Sequence, residues 1–352
     1  MLNQLPEDSG LVFVPTKDEH VVLYHKNCND GIASAWVAYQ HYGENARYIA
    51  FQYGDRLPAD IIGRHVVMID VSVPQEVINQ LLDKKLVESI MLIDHHVTVI
   101  KQLHGGLWCR SVEQYENRRN EHDRYFYLID AHNCGAALAW SFFKTEEGFG
   151  VGYQPPLYPP VINHIQDYDL WRRELPETDA INAWLANGPR TIERFHSMTK
   201  PDGSISENVI EGGTLLINAE NTQIRDLIDN CVEYGYYGEE QIVAVNAPYV
   251  LRNRLADELL KEGWAFVVVY SRQSTRTIIS LRSSGYDVTP VAERYNGGGH
   301  KTAAAFKISH DRLAGREILD LFQPPSLWQR LRRAWSLLTN PSLTNKETQR
   351  VR

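Results

Sequence analysis

The chain has 352 residues, of which 43% are hydrophobic and 23% are charged, a composition typical of globular proteins and unlike that of disordered chains. Its formal net charge of -8 disfavours broad, nonspecific adhesion to nucleic acid, but it is compatible with a local basic groove or with cations beside an anionic substrate. At about 100–200 residues per domain, this length predicts two domains.

The cysteines and the apolar runs indicate the compartment. The four cysteines are widely spaced and form no paired-thiol motif: Cys28, Cys109, Cys134 and Cys231. This spacing predicts neither a disulfide framework nor a zinc site, and it fits a reducing compartment. No apolar run approaches the ~18 residues of a membrane span, and residues 1–10 do not read as a secretory signal. We therefore expect a cytoplasmic protein without a membrane segment.

The pattern starts with a predicted strand, loop and helix. Residues 21–24 are apolar and predict a short strand, and the alanine-rich residues 32–39 predict a helix. The loop between them carries His25, Asp30 and Gly31. These polar residues are compatible with a helix cap and a solvated side chain, and equally with ligands of a metal ion.

Two further predicted strands also end in polar residues. Residues 65–69 predict a strand that ends at Asp70, and residues 77–86 have helical periodicity. Residues 90–93 predict a buried strand that runs directly into Asp94-His95-His96. Taken alone, Asp70 is also compatible with a turn or a helix cap.

Apolar strands separated by helices predict βαβ crossovers and therefore a parallel sheet. The polar residues at the three strand ends then meet at one edge of the sheet, where open α/β folds bind their ligands. Carboxylates that share a cleft raise one another's pKa, and divalent cations offset this repulsion. Mixed imidazole and carboxylate ligands favour Mn²⁺ or Fe²⁺ over Mg²⁺, and a ligand set without thiolates disfavours structural zinc.

The rest of the first half contains one more candidate ligand. Residues 107–124 are polar and charged and predict a solvated loop or hairpin, and a strand over 125–129 follows. Residues 161–171 have helical spacing up to a charged end that contains Asp167 and Asp169. On a helix these two side chains point about 200° apart, so at most one of them is expected to reach a given metal ion.

A second, smaller α/β unit is predicted after a polar segment near residues 197–206. A helix over 209–229 leads into strands over 241–246, 265–270, 277–281 and 303–308, with helices over 252–261 and 289–294. Gly297, Gly298, Gly299 and His300 precede the last strand. Bare glycine N–H groups and an imidazole suit a phosphate group, and a flexible turn is the alternative.

In their order along the chain, these motifs resemble the DHH superfamily of phosphoesterases. The resemblance covers about residues 20–310 and rests on the ordered set, because each motif alone is weak. It implies an α/β protein in which a parallel-sheet DHH catalytic domain is followed by a smaller α/β DHH-associated domain. The expected division is a catalytic domain over 1–200, a linker helix region over 201–235, a DHH-associated domain over 236–322 and a basic tail over 323–352.

The resemblance also implies roles for individual residues. The implied ligands of two metal ions, usually Mn²⁺ with Mg²⁺ as a possible substitute, are His25, Asp30, Asp70, His95 and Asp167, with Asp70 bridging the ions. Asp94 is expected to orient His95, and His96 to lie near the scissile phosphate. The implied contacts to a substrate phosphate are Arg282, Gly298, Gly299 and His300.

The first motif departs from the family pattern. The family commonly carries two aspartates two residues apart there, whereas Cys28 or Asn29 occupies the region of the first one and only Asp30 remains. One metal ion is therefore expected to be bound more weakly or through an additional water.

The predicted reaction is hydrolysis of a phosphodiester or phosphoanhydride bond by a water that two cations activate. Because a long strand requires a basic, aromatic-lined channel, we expect a small phosphorylated substrate or a short oligonucleotide. The basic tail is compatible with contact to nucleic acid or an acidic partner, but a terminal helix with a frayed end is favoured.

Two other functions remain open. The missing aspartate is compatible with a nucleotide-binding regulatory protein that has lost turnover. The second open function is that of a hydrolase in which Cys28, close to His25 in sequence, is the nucleophile. No nucleophile elbow accompanies this cysteine. Binding of about two Mn²⁺ per chain and inhibition by a chelator distinguish the enzyme from the binding protein.

Overall fold

The structure is a computed structural model that describes residues 19–120, 123–144, 157–200, 203–313 and 317–322. The chain divides into two compact units, Met1–Ile217 and Asn218–Arg352. Among the helices of the described residues, none has both the length and the apolar character needed to cross a membrane. The predicted basic tail lies outside the described residues.

The first unit alternates strands and helices. Its strands are β1 (His20–His25), β2 (Ala46–Phe51), β3 (His65–Ile69), β4 (Ser89–Asp94), β5 (Leu107–Trp108) and β6 (Tyr125–Ile129). Its helices are α1 (Asn29–Tyr42), α2 (Gln75–Asp83), α3 (Val97–Gln102), α4 (Val112–Asn120), α5 (Gly135–Lys144), α6 (Pro160–Asp169), α7 (Thr178–Ala186) and α8 (Ile192–His196). The long helix α9 (Glu207–Cys231) follows.

The six strands form one parallel sheet in the order β2-β1-β3-β4-β6-β5. Alternate residues face opposite sides of this sheet, so that Val22 and Val67 join the core that contains α1 and α5, whereas Val21 and Val66 join the core that contains α2. Burial on both faces explains why these strands are almost continuously apolar. The predicted parallel-sheet α/β fold is confirmed.

Several parts of the first unit differ from the sequence prediction, among them the helices α3, α7 and α8, which were not predicted. The stretch predicted as a polar loop or hairpin contains the edge strand β5 and the helix α4. In α4, Tyr115 is fully buried, stands edge-on to Phe126 and lies 2.9 Å from Ser89 Oγ through its hydroxyl. One buried aromatic residue therefore anchors a helix that has no apolar stripe. The strand β2 was also not predicted, and it pairs with β1 at the opposite edge of the sheet.

The second unit is a smaller α/β unit, as predicted. Its strands are β7 (Val232–Tyr237), β8 (Glu240–Asn246), β9 (Phe266–Arg272), β10 (Arg276–Arg282), β11 (Gly298–His300) and β12 (Ala303–Ser309). Its helices are α10 (Arg252–Leu260), α11 (Thr289–Glu293) and α12 (His310–Leu313). The sheet order is β11-β12-β10-β9-β8-β7, and β8 and β9 form a parallel pair while the other neighbours are antiparallel. The strands β7 and β11, which the sequence did not predict, lie at the two edges.

Candidate metal centre

Carboxylates and imidazoles gather at the carboxyl edge of the parallel sheet. His25 is the last residue of β1, Asp70 directly follows β3, and Asp94 is the last residue of β4. Parallel strands end at the same edge, so the chain connectivity brings these side chains together. Two helices add further carboxylates, because Asp30 lies in the first turn of α1 and Asp169 is the last residue of α6.

Asp70 lies in the middle of this group. Its Oδ1 is 3.2 Å from His95 Nε2, and its Oδ2 is 3.4 Å from His25 Nδ1. Its φ of 61° is in the left-handed region, which residues other than glycine rarely adopt. Such conformations persist where the surrounding structure fixes them, and they are concentrated at functional sites. The backbone therefore holds this carboxylate between two imidazoles.

Asp30 is held by the N-terminus of α5. Its Oδ2 accepts a hydrogen bond from the Gly135 N–H at 2.6 Å, and its Oδ1 accepts one from the Ala136 N–H at 2.9 Å. These donors and the positive end of the helix dipole stabilise a buried carboxylate. The same Oδ2 lies 3.9 Å from His95 Nε2, so Asp30 and Asp70 approach one imidazole nitrogen.

Asp94 contacts the two histidines that follow it in different ways. Its Oδ1 accepts hydrogen bonds from the backbone N–H of His95 at 2.7 Å and from that of His96 at 3.0 Å. It also lies 2.7 Å from His96 Nδ1. Asp94 thus contacts the backbone of His95 and the imidazole of His96, and its expected role in orienting His95 stays a prediction.

The structure places Asp169, and not the predicted Asp167, in the group. Asp169 Oδ2 lies 3.6 Å from His95 Nε2. The carboxylate of Asp167 instead caps the segment after α6, where it accepts hydrogen bonds from the Glu174 and Leu175 N–H groups and the Thr178 hydroxyl at 2.7–3.1 Å. The placement of Asp167 with the metal ligands is thus corrected. The reasoning that only one of the two can reach a metal ion agrees with this geometry.

The first motif contributes Cys28 and not Asn29. His25, Cys28 and Asp70 each offer one potential ligand atom, and these atoms lie within 4.8 Å of one another. The Asn29 side chain donates to the backbone oxygen and Oδ1 of Asn182, both at 3.1 Å. A sulfur atom therefore lies where the sequence pattern predicted none among the candidate ligands.

The charges in the group depend on one another. Burial and the carboxylates of Asp70 and Asp169 raise the pKa of Asp30 well above its usual range. Burial and Asp70 raise the pKa of Asp169 to about 6. Burial also acts to raise the pKa of Asp70, but the imidazoles of His25 and His95 outweigh it and lower this pKa to about 2. Three carboxylates that share one buried space need more positive charge than these imidazoles supply.

Unpartnered buried atoms indicate what supplies that charge. His25 Nδ1 and Asp70 Oδ2 are buried and have no hydrogen-bond partner among the described residues, although they lie 3.4 Å apart. An imidazole nitrogen and a carboxylate oxygen in this arrangement fit a shared divalent cation. The candidate ligand groups overlap and consist of His25, Cys28 and Asp70; Asp70, His95 and His96; and Asp30, His95 and Asp169. Because they share members, the donors fit a centre with more than one ion.

The glycine-rich segment of the second unit is an edge strand and not a turn. Gly299 lies opposite Ala304 in the antiparallel pair of β11 and β12. A Cβ on Gly299 would lie 2.5 Å from Ala304 Cα, and one on Gly297 would lie 2.3 Å from the Ala305 oxygen. These two glycines therefore permit close packing of the strands. A Cβ on Gly298 would meet no atom within 4 Å, so this position has room for a ligand.

The other predicted phosphate contacts lie on the same sheet. Arg282 is the last residue of β10, and its guanidinium donates to the Leu281 oxygen at 2.8 Å and to Asn253 Oδ1 at 3.0 Å. His300 is the last residue of β11, and its side chain lies outside the described part of the structure. The roles of Arg282, Gly298, Gly299 and His300 stay predictions.

Comparison with known proteins identifies the second unit. The family model of the DHHA1 domain matches residues 248–323. The uncharacterised protein R106 of Acanthamoeba polyphaga mimivirus is 22% identical over 312 residues, which make up 82% of this chain and 67% of that protein.

Solved structures resemble the fold at low sequence identity. The similarity to the DHH domain of a member of a family of ribosomal proteins covers 87% of this chain and 86% of that chain, at 12% identity and a TM-score of 0.50. The similarity to the exonuclease RecJ bound to manganese covers 84% of this chain and 86% of that chain, at 13% identity and a TM-score of 0.47. The DHHA1 match and the fold shared with a DHH domain agree with the resemblance of the ordered motifs to the DHH superfamily.

Proposed function

We propose that the protein is a metal-dependent phosphoesterase that hydrolyses phosphodiester or phosphoanhydride bonds in a small nucleotide or polyphosphate. The observation that carries this proposal is the convergence of Asp30, Asp70, His95 and Asp169 on overlapping candidate ligand positions. A cluster of this kind suits a negatively charged substrate, because bound cations neutralise the charge of the carboxylates and that of the substrate. The resemblance of the ordered motifs to a superfamily of phosphoesterases supports the same reaction class.

The overlapping groups fit two divalent cations. We assign His25 and Asp70 to one ion and Asp30, His95 and Asp169 to the other. Asp70 lies 3.2 Å from His95 and is therefore placed to serve both ions. When bound, Mn²⁺ or a substitute such as Mg²⁺ supplies charge neutralisation at the phosphoryl group and a water with a lowered pKa.

Asp94 and His96 are assigned to the substrate. Asp94 Oδ1 accepts two backbone N–H groups and is therefore an acceptor toward His96 Nδ1, so the proton of that contact lies on the imidazole. This contact fixes the orientation of the ring. The other ring nitrogen, Nε2, is available to the substrate, because the His96 side chain is 43% exposed. The contact with Asp94 also raises the pKa of His96, and in its doubly protonated form the ring can donate the Nε2 proton to a phosphoryl or leaving-group oxygen.

The second unit is assigned to substrate recognition. Gly298 has space for a ligand beside its backbone. Arg282 is fixed by two hydrogen bonds and retains further N–H donors, a combination that suits a phosphate group. Gly299 and His300 complete the proposed phosphate contacts. A compact set of contacts of this kind favours a short oligonucleotide, a cyclic dinucleotide or polyphosphate over a long strand.

A substrate panel tests the proposed reaction. The purified chain is assayed with Mn²⁺ and with Mg²⁺ on p-nitrophenyl phosphodiesters, di- to pentanucleotides, long single-stranded DNA, cyclic dinucleotides, nucleoside bisphosphates and polyphosphate. We expect hydrolysis of one small substrate class, abolition by a chelator and recovery when Mn²⁺ is restored. Binding of a nucleotide without turnover of any substrate would instead support a regulatory protein.

The assignment of Asp169, and not Asp167, as a metal ligand can be tested separately. Asp169→Asn is expected to weaken Mn²⁺ binding at least about tenfold, because it removes a ligand charge. Asp167→Asn is expected to leave Mn²⁺ affinity near that of the wild type and to lower the free energy of unfolding by about 1–3 kcal/mol, since it weakens charge-assisted hydrogen bonds. Isothermal titration with Mn²⁺ and thermal unfolding measure the two effects. The opposite pattern would restore Asp167 as the ligand.

A further inference from the structure

We propose that Cys28 is a sulfur ligand of the ion held by His25 and Asp70, so that this position is a mixed imidazole, thiolate and carboxylate site. The inference rests on the proposed metal centre and deepens it. It assigns a donor to the motif position at which the family's first aspartate is missing, and it predicts that the two ions are bound with different preferences.

Local backbone geometry places Cys28 beside the other two donors. Cys28 is the N-cap of α1, and its oxygen accepts the hydrogen bond of the Ile32 N–H at 3.2 Å. Its side chain makes no capping hydrogen bond to the helix. A Cβ on Gly31 would lie 2.1 Å from the His25 oxygen, so glycine at this position allows the start of α1 to approach the end of β1. The tight approach brings the potential ligand atoms of Cys28, His25 and Asp70 within 4.8 Å of one another.

A second observation points to a ligand at this place. Asp70 is 2% exposed, and its Oδ2 has no hydrogen-bond partner in the described chain. The same is true of the buried His25 Nδ1, which lies 3.4 Å away. Buried polar atoms are normally paired, so two unpartnered atoms beside a sulfur indicate an occupant with a positive charge.

The chemistry of the donors distinguishes this position from its neighbour. The group of Asp30, His95 and Asp169 offers one imidazole and two carboxylates, which suit Mn²⁺. A thiolate shifts selectivity toward softer ions such as Zn²⁺, and a coordinating thiol is bound in its deprotonated form. We therefore expect Zn²⁺ or Co²⁺ to occupy the position beside Cys28 before it occupies the position of Asp30, His95 and Asp169.

Cobalt substitution tests the sulfur ligand directly. The full chain is loaded with Co²⁺, and the near-ultraviolet absorption of sulfur-to-cobalt charge transfer is recorded together with the visible bands of bound cobalt. We expect the charge-transfer band in the wild type and in Cys109→Ser, a matched control because Cys109 is a buried thiol outside the three candidate ligand groups. Cys28→Ser and Cys28→Asp are expected to lose this band, and Cys28→Asp is expected to keep the visible bands.

Competition between metals provides a second readout. Each protein is equilibrated with equal Zn²⁺ and Mn²⁺, desalted and analysed for both metals. Cys28→Asp is expected to shift the ratio of bound Zn²⁺ to bound Mn²⁺ toward Mn²⁺ at least about tenfold relative to the wild type. Circular dichroism confirms that each variant is folded, and the wild-type spectrum gives an answer even if a variant is not.

The outcomes separate this inference from the proposed function. The role of Cys28 would be overturned if the wild type bound two Co²⁺ ions without a sulfur band. It would also be overturned if the band persisted in Cys28→Ser. Either result would leave the metal centre intact. Failure of the wild-type chain to bind Co²⁺, Zn²⁺ or Mn²⁺ would overturn both.

Discussion

Replacing Asp70 with asparagine is expected to lower turnover by about 10³-fold or more. The two oxygens of this carboxylate face different partners, since Oδ1 lies 3.2 Å from His95 and Oδ2 lies 3.4 Å from His25. The amide of asparagine removes the negative charge and places an NH₂ group toward one of the two partners. Both proposed ions therefore lose a ligand in a single substitution. Turnover with saturating Mn²⁺ and metal analysis of the purified variant measure the effect.

The fold should tolerate this substitution. Asparagine is among the residues that adopt the left-handed conformation most readily, and Asp70 has a φ of 61°. We expect the metal-free variant to unfold within about 5 °C of the metal-free wild type. Asp83→Asn is a matched control, because Asp83 is an exposed carboxylate at the end of α2 and should leave turnover and metal content unchanged. An Asp70→Asn variant with wild-type turnover and two bound Mn²⁺ would remove Asp70 from the mechanism.

The polar strand ends show what sequence reasoning can reach. Three apolar strands separated by helices predict a parallel sheet, and a parallel sheet gathers its carboxyl ends at one edge. His25, Asp70 and His95 could therefore be placed together from the sequence. The same reasoning could not distinguish Asp167 from Asp169, because the choice depends on where α6 ends and on the N–H groups of Glu174 and Leu175, which bind Asp167 after the helix.

The sequence alone could not show which residue of the first motif is the metal donor, for a related reason. A family pattern leaves Cys28 and Asn29 as equivalent occupants of one region, and only the start of α1 decides which side chain faces Asp70. The contact of Asn29 with Asn182 joins residues 153 positions apart, and no local pattern encodes it. The helix α4 was missed because the buried side chain of Tyr115 anchors it without an apolar period. Residues that act through single long-range contacts are thus the ones that periodicity does not reveal.

The substitution Gly135→Ala is expected to have the second large effect, although it introduces only one methyl group. An added Cβ would lie 2.7 Å from the Asp70 Cβ and 2.9 Å from Asp30 Oδ2. Alanine favours a helix over glycine by about 1 kcal/mol, but overpacking a buried site costs about 1–3 kcal/mol. Since the buried side chains of Asp70, Asp30 and Ser34 surround the methyl group, we expect the steric effect to prevail. The variant should unfold at a lower temperature and lose turnover by about 10²-fold.

The loss of activity can be separated from the loss of stability. If Gly135→Ala acted only by unfolding part of the population, turnover per folded molecule would equal that of the wild type well below the unfolding midpoint. Displacement of Asp30 and Asp70 instead predicts weaker Mn²⁺ binding in fully folded protein, because both carboxylates are proposed ligands. Gly285→Ala serves as the matched control, since a Cβ there meets no atom within 4 Å and should change the free energy of unfolding by less than about 0.5 kcal/mol. Normal Mn²⁺ affinity in folded Gly135→Ala would show that the N-terminus of α5 supports the fold without positioning the metal ligands.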